Sequence, residues 1–237
     1  MPKILTIVSF FVLGIFGGIF ADQILWPYFI EKPLFYEYRL EQNPIYMTEK
    51  KEITITENVA LQNAIEKVKK SVVGVKTKTI EGSILEGSGL VITSDGLFIT
   101  LNDLIPKGSE FLFYINNTPV AYQIIKRDAV LNLALIKTEA DNLSTVGFAD
   151  LDKTKIGQRI FLVGALLDGK EIKKVVNEGI VRSFNQESIE TNIFEDVNLK
   201  GSPLFDIDGK CLGLNQIDSY GRIIAISIDQ IKEFVGM

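Results

Sequence analysis

Hydrophobic and polar positions alternate in two regimes along the chain. Ile4 to Ala21 is one unbroken apolar stretch without a charge. As a helix at 1.5 Å per residue it is about 27 Å long, close to the hydrocarbon thickness of a bilayer. From Val72 onward the apolar residues instead come in short runs, separated by turn signals at Ser94-Asp95-Gly96, Asn116-Asn117, Asp168-Gly169 and Asp208-Gly209. Short runs punctuated in this way predict antiparallel hairpins. Examples are Leu90–Ile92 with Leu97–Thr100, Phe111–Ile115 with Val120–Lys126, and Pro203–Phe205 with Lys210–Asn215. Two segments carry helical spacing. Glu57–Lys70 places Leu61, Ile65 and Val68 on one face. Ser227 and Gln230 form a capping box ahead of Ile228–Val235. The pattern predicts an all-β domain with flanking helices behind an N-terminal transmembrane helix.

The flanks of the apolar stretch set its orientation. Lys3 precedes it and Asp22 follows it, which places the N-terminus in the cytoplasm and the rest outside. The reading is an uncleaved signal anchor over residues 1–22 in the cytoplasmic membrane, touching lipid through residues 4–21. Its rival is a secreted protein cleaved near Ala21, disfavoured by the bulky Ile19 where a small residue is usual. Residues 23–56 read as an extracytoplasmic linker and 57–237 as the folded domain. Within that domain one barrel spans about 71–140 and a second about 156–237, with the polar stretch Asp141–Lys155 between them.

Composition narrows the chemistry. The chain of 237 residues contains no histidine, so Ser-His, Cys-His and histidine-metal mechanisms are all excluded. One cysteine, Cys211, excludes an internal disulfide, and its apolar surroundings suggest a buried, inert thiol. A net charge of −5 argues against nucleic acid as a partner. No cofactor and no metal are expected. Asp206-Ile207-Asp208-Gly209 has a faint calcium-loop look but lacks the rest of the twelve-residue loop, and reads as a hairpin turn. Glu187, Glu190, Glu195 and Asp196 form an acidic run, which favours basic ligands if it faces a cleft.

Five motifs, in order, resemble trypsin-like serine proteases of the bacterial HtrA/Deg type. They are Val59–Thr77, Gly87–Ile105, Arg127–Lys137, Ile156–Gly164 with Val175–Phe184, and Ile189–Asn215. The resemblance implies two six-stranded antiparallel barrels. It ends near Val235 without the PDZ domain that usually follows in that family. It also implies a place for each catalytic residue, and all three are replaced: Asp103 at the histidine, Asn132 at the orienting aspartate and Lys200 at the nucleophilic serine. Asp128 keeps an earlier acidic residue and reads as a turn residue. Asn198, Leu199 and Lys200 occupy the loop whose N–H groups form the oxyanion hole, and a partial hole is expected to survive there. Ser202 is the alternative nucleophile for a Ser/Lys site, weighed against a plain loop hydroxyl.

These residues lead to a pseudoprotease that binds or scaffolds other proteins, with protein or peptide ligands. The alternatives are an active endopeptidase with a non-standard Ser/Lys site and a structural component of an envelope assembly. Relatives of this type often trimerise through aromatic N-terminal segments, which makes residues 26–46 a candidate oligomer contact. The opposite charges of Asp103 and Lys200 suggest an ion pair across the barrel interface, with Asn132 as a neutral third partner.

Protein isolated from membranes is expected to carry residues 1–21 and to partition with detergent. Recovery of a soluble form that begins at Asp22 would establish cleavage instead.

Overall fold

The computed structural model describes residues 2–31, 57–168 and 171–237. Two compact units result, residues 1–54 and 55–237. In the first, helix α1 (Pro2–Phe20) continues through Ala21–Glu31 in wider π-helical turns, a stretch in which Pro27 supplies no N–H. The helix therefore runs past the Ala21 boundary that the apolar pattern suggests. Its stretch Thr6–Trp26 has a mean hydropathy of 1.9, none of it buried, and is long and apolar enough to cross a membrane. Of the aromatic segment proposed as an oligomer contact, residues 32–46 lie outside the described residues.

The second unit opens with α2 (Glu57–Val68), closed by a 3₁₀ turn at Lys69–Ser71. The first sheet contains β1 (Val72–Lys78), β2 (Ile84–Val91), β3 (Leu97–Leu101), β4 (Glu110–Ile115), β5 (Thr118–Val120), β6 (Tyr122–Asp128) and β7 (Leu133–Thr138). Its order is β5-β4-β1-β2-β3-β7-β6. Seven strands replace the expected six because one strand is split. β5 and β6 are parted only by Ala121, and the two halves pair with β4 and β7 at opposite ends of the sheet. One bent strand over residues 118–128 thus serves both edges, and counted so the sheet is a six-stranded half-barrel. Tyr122, just past the break, meets Phe111 and Phe113 edge-on across that join.

The second barrel is closed. It contains β8 (Arg159–Asp168), β9 (Glu171–Phe184), β10 (Ser188–Phe194), β11 (Pro203–Asp206), β12 (Cys211–Ile217) and β13 (Arg222–Ser227), in the order β10-β13-β12-β11-β8-β9. Helix α3 (Ile228–Val235) follows, its N–H at Gln230 capped by Ser227 Oγ and its end closed by Gly236 in the left-handed region. The fold is all-β with two sheets, as the pattern of short runs implies. Each barrel is filled by its own aromatic pair, Phe98 with Phe113 and Phe161 with Phe205.

The barrels meet along a seam of backbone. The Ser88 N–H donates to the Lys200 carbonyl at 2.8 Å, and Ser88 Oγ accepts the Ala165 N–H at 2.8 Å. Such an approach leaves no room for side chains. A methyl at Gly87 would sit 2.7 Å from the Lys200 carbonyl oxygen, and one at Gly201 would strike the Ser88 carbonyl. Gly201 also holds φ +74, a left-handed conformation that L residues rarely take. The Gly87-Ser88-Gly89 and Gly201-Ser202 motifs are thus the two sides of one contact.

Gly201→Ala is expected to destabilise by ~3 kcal/mol or more, combining the collision with left-handed strain. Gly82→Ala supplies the control, since Gly82 has φ +85 but open space around it, and about 1 kcal/mol is expected there. Urea unfolding of the two variants measures the difference.

Candidate functional site

The seam ends in a cleft; of the singled-out residues Asp103 and Lys200 line it, and Asn132 supports Asp103. Asp103 lies in a 3₁₀ turn, Asn102–Leu104, directly after β3. Asn132 precedes β7 with φ +54, a conformation that asparagine tolerates better than most residues. Its carbonyl accepts the Asn102 N–H at 3.1 Å, and its Oδ1 accepts the Asp103 N–H at 2.9 Å. Asn132 therefore fixes the turn that presents Asp103. It does so through the backbone of Asp103, where the sequence suggests a contact with the charged heads.

Lys200 enters from the other barrel. It follows the 3₁₀ turn Val197–Leu199, and its Nζ lies 3.1 Å from Asp103 Oδ2. The two side chains are 29% and 41% exposed. In such a half-open setting the pair is worth about 1 kcal/mol, far from dry-interior Coulomb values. Chemically, an ion-paired ammonium has no lone pair to offer a carbonyl, and no imidazole stands between the two groups.

The loop below Lys200 has its N–H groups committed. Asp196 Oδ1 accepts the Asn198 N–H at 2.9 Å, and the Val197 carbonyl accepts the Lys200 N–H at 3.1 Å. These are the donors that the resemblance assigns to an oxyanion hole. Both of these N–H groups are engaged inside the loop's own turn. Leu199 is buried and lies so close to Gly164 that a methyl there would collide with it. The apolar anchor and the Asp196 cap hold the turn together.

Ser202 is fully buried. Its Oγ accepts Asn215 Nδ2 at 3.0 Å, and the Ser202 carbonyl accepts the Asn215 N–H at 2.9 Å. The other side-chain atom of Asn215, Oδ1, is buried without a hydrogen-bond partner among the described residues. The Lys200 ammonium is engaged by Asp103 Oδ2, and the Ser202 hydroxyl by Asn215.

The acidic run does not share one face. Glu187 lines a cavity of about 390 Å³ with Val130, Leu131, Gln216 and Ile224. Glu190 borders another with Arg182 and Arg222. Glu195 accepts Asn177 Nδ2 at 2.7 Å, and Asp196 caps the turn below Lys200. Only Glu190 lies on β10; Glu187 precedes that strand and Glu195 and Asp196 follow it, so the run is spread along a strand and both of its flanks. Asp128 accepts the N–H groups of Val130 and Leu131, closing a turn. Asp206 does the same for Asp208 and Lys210, and burial pushes its carboxyl above the ordinary range. Burial likewise pushes the Cys211 thiol up to about 12.

Sequence reading misses three residues that shape the cleft: Asp196 as a cap, Gly164 as the seat of Leu199, and Glu86. Asp196, two residues before a backbone N–H it satisfies, leaves a local signal. Glu86 leaves none, because only the packing of β2 against the Lys200 loop brings it to the cleft.

Comparison with known proteins agrees with the geometry. Residues 87–214, more than half of the chain, match the family described as trypsin-like peptidase domain. A probable periplasmic serine endoprotease DegP-like from Marinomonas sp. (strain MWYL1) is 32% identical over 139 residues, covering 54% of this chain and 29% of the relative. The protein of the same description from Pseudomonas fulva (strain 12-X) is 30% identical over 138 residues, covering 54% and 28%. The chain thus matches less than a third of the length of these curated relatives. The solved structure of an HtrA-type protease AlgW with tripeptide shares the fold, with a TM-score of 0.66 at 20% identity, over 74% of this chain and 62% of that one. With this match, the five motifs in order and the two-barrel fold, the chain belongs to the trypsin-like peptidase domain family, its relatives and structural neighbour being of the DegP/HtrA type.

Proposed function

We propose that this chain is an HtrA-type pseudoprotease: a trypsin-fold domain that binds peptide or protein segments in its cleft without hydrolysing them. The observation that carries the reading is the Lys200–Asp103 ion pair at 3.1 Å, which occupies the nucleophile and shuttle positions in a chain without histidine. The committed N–H groups of Asn198 and Lys200 support it, since neither is free to stabilise a developing oxyanion. The buried, hydrogen-bonded Ser202 argues against the Ser/Lys alternative.

The remaining parts of the reading follow from the fold and its neighbours. The apolar helix serves as an anchor in the cytoplasmic membrane, with residues 57–237 on the outer side. The periplasmic descriptions of the curated relatives favour that side. In this reading the former active site acts as a clasp between the barrels, and the open parts of the cleft receive the ligand.

Three measurements test it. The full chain is expected to leave casein and fluorogenic peptides intact. Restoring the triad alone, with Lys200→Ser, Asp103→His and Asn132→Asp, is expected to give turnover at least about a hundredfold below that of a variant also carrying Asn198→Gly and Leu199→Asn. That ratio is the usual loss for missing oxyanion donors, ~10²–10³. Equal turnover in the two variants would show that the loop is no barrier. For the clasp, a double-mutant cycle on Asp103→Asn and Lys200→Met by thermal unfolding is expected to give a coupling of about 1 kcal/mol, while additive effects would reject it.

A further inference from the structure

The cleft beside the clasp carries a charge imbalance that the clasp does not consume. A cavity of about 320 Å³ opens there, with walls that include Ile84, Leu104 and Val197 and polar groups that include Glu86, Asp103 and Lys200. Two carboxylates face one ammonium, which leaves one negative charge. Lys200 engages Asp103 through Oδ2. Glu86 makes no ion pair among the described residues, although Lys76 stands opposite it in the β1–β2 register. Ile84 and Val197 are about half exposed, 49% and 52%, so the apolar walls are open to a ligand. The volume lies at the small end of ligand sites and suits one long side chain.

We propose that this cavity is a recognition pocket for a basic side chain, arginine foremost, of an extended peptide held in the cleft. The assignment rests on the peptide-binding reading and names the ligand class that reading leaves open. An arginine stem lies along Ile84, Leu104 and Val197, and its planar guanidinium bridges the Glu86 carboxylate and Asp103 Oδ1. Lys200 holds the other oxygen of Asp103 and keeps that carboxylate aimed at the pocket. The same lysine also repels the incoming cation, so it sets an upper limit on affinity. An acidic ligand side chain meets an uncompensated Glu86 and is rejected.

The test uses the full chain in a neutral detergent and dye-labelled, alanine-rich decapeptide libraries with one fixed position: arginine, lysine, citrulline, norleucine or glutamate. Fluorescence anisotropy reads the affinities. The arginine library is expected to bind about tenfold more tightly than the citrulline library, which matches it in shape but lacks the charge. Glu86→Gln is expected to abolish that preference, and Asp103→Asn to reduce it. Lys200→Met is expected to raise arginine affinity severalfold, a sign that a merely structural role for the lysine does not produce. Equal binding of arginine and citrulline libraries would overturn the assignment while leaving peptide binding standing. Absence of binding by every library would overturn the peptide-binding reading itself, and this assignment with it.

Discussion

The contact between the Ser88 N–H and the Lys200 carbonyl is the constraint on which the cleft depends. It brings two backbones from different barrels to hydrogen-bonding distance, and hydrogen-bonding distance between main chains tolerates no side chain between them. Glycine at 87 and 201 follows from that requirement. The Ser88 hydroxyl extends the contact to the Ala165 N–H, and the Ser88 carbonyl accepts Thr100 Oγ1 at 2.7 Å. One residue thus ties strands β2, β3 and β8 to the loop that carries Lys200. With the carbonyl of Lys200 pinned, its side chain departs from a fixed origin and reaches Asp103, 97 residues away in the chain.

The seam holds the two-barrel frame together whatever chemistry its cleft carries. The glycines and Ser88 serve the packing of two barrels, a demand independent of which side chain stands at position 200. The groups around the cleft carry ordinary structural tasks. Asn132 supports a turn through its side chain, Asp103 receives a lysine, and the loop N–H groups close a capped 3₁₀ turn over the buried Leu199. A turn whose donors are satisfied internally has little reason to open, because opening would expose Leu199 and strand N–H groups together.

The electrostatics of the cleft divide along the same lines. The ion pair is the local neutral element, half exposed and modest in energy. Next to it Glu86 lines the cavity, with Lys76 opposite it in the β1–β2 register and no ion pair between them. In a chain of net charge −5 a basic ligand is favoured over long range as well as at contact.

The sequence by itself determined the local elements and the limits on chemistry. Alternation and turn residues are nearest-neighbour properties, so hairpins such as β2–β3 and β11–β12, and the capped helix α3, were legible directly. The absence of histidine needed no structure at all. Tertiary structure decided what depends on distant backbones meeting. Only the strand pairing of the first sheet shows that residues 118–128 break at Ala121 to serve both edges. Only the folded loop shows that Asp196 and Val197 use the N–H groups once assigned to an oxyanion hole. The acidic run read as one patch from Glu187 to Asp196, yet Glu195 and Asp196, past the end of β10, are taken up by Asn177 and by the turn below Lys200. Glu86 reached the cleft through the packing of two barrels, and linear spacing carries no record of which surfaces meet.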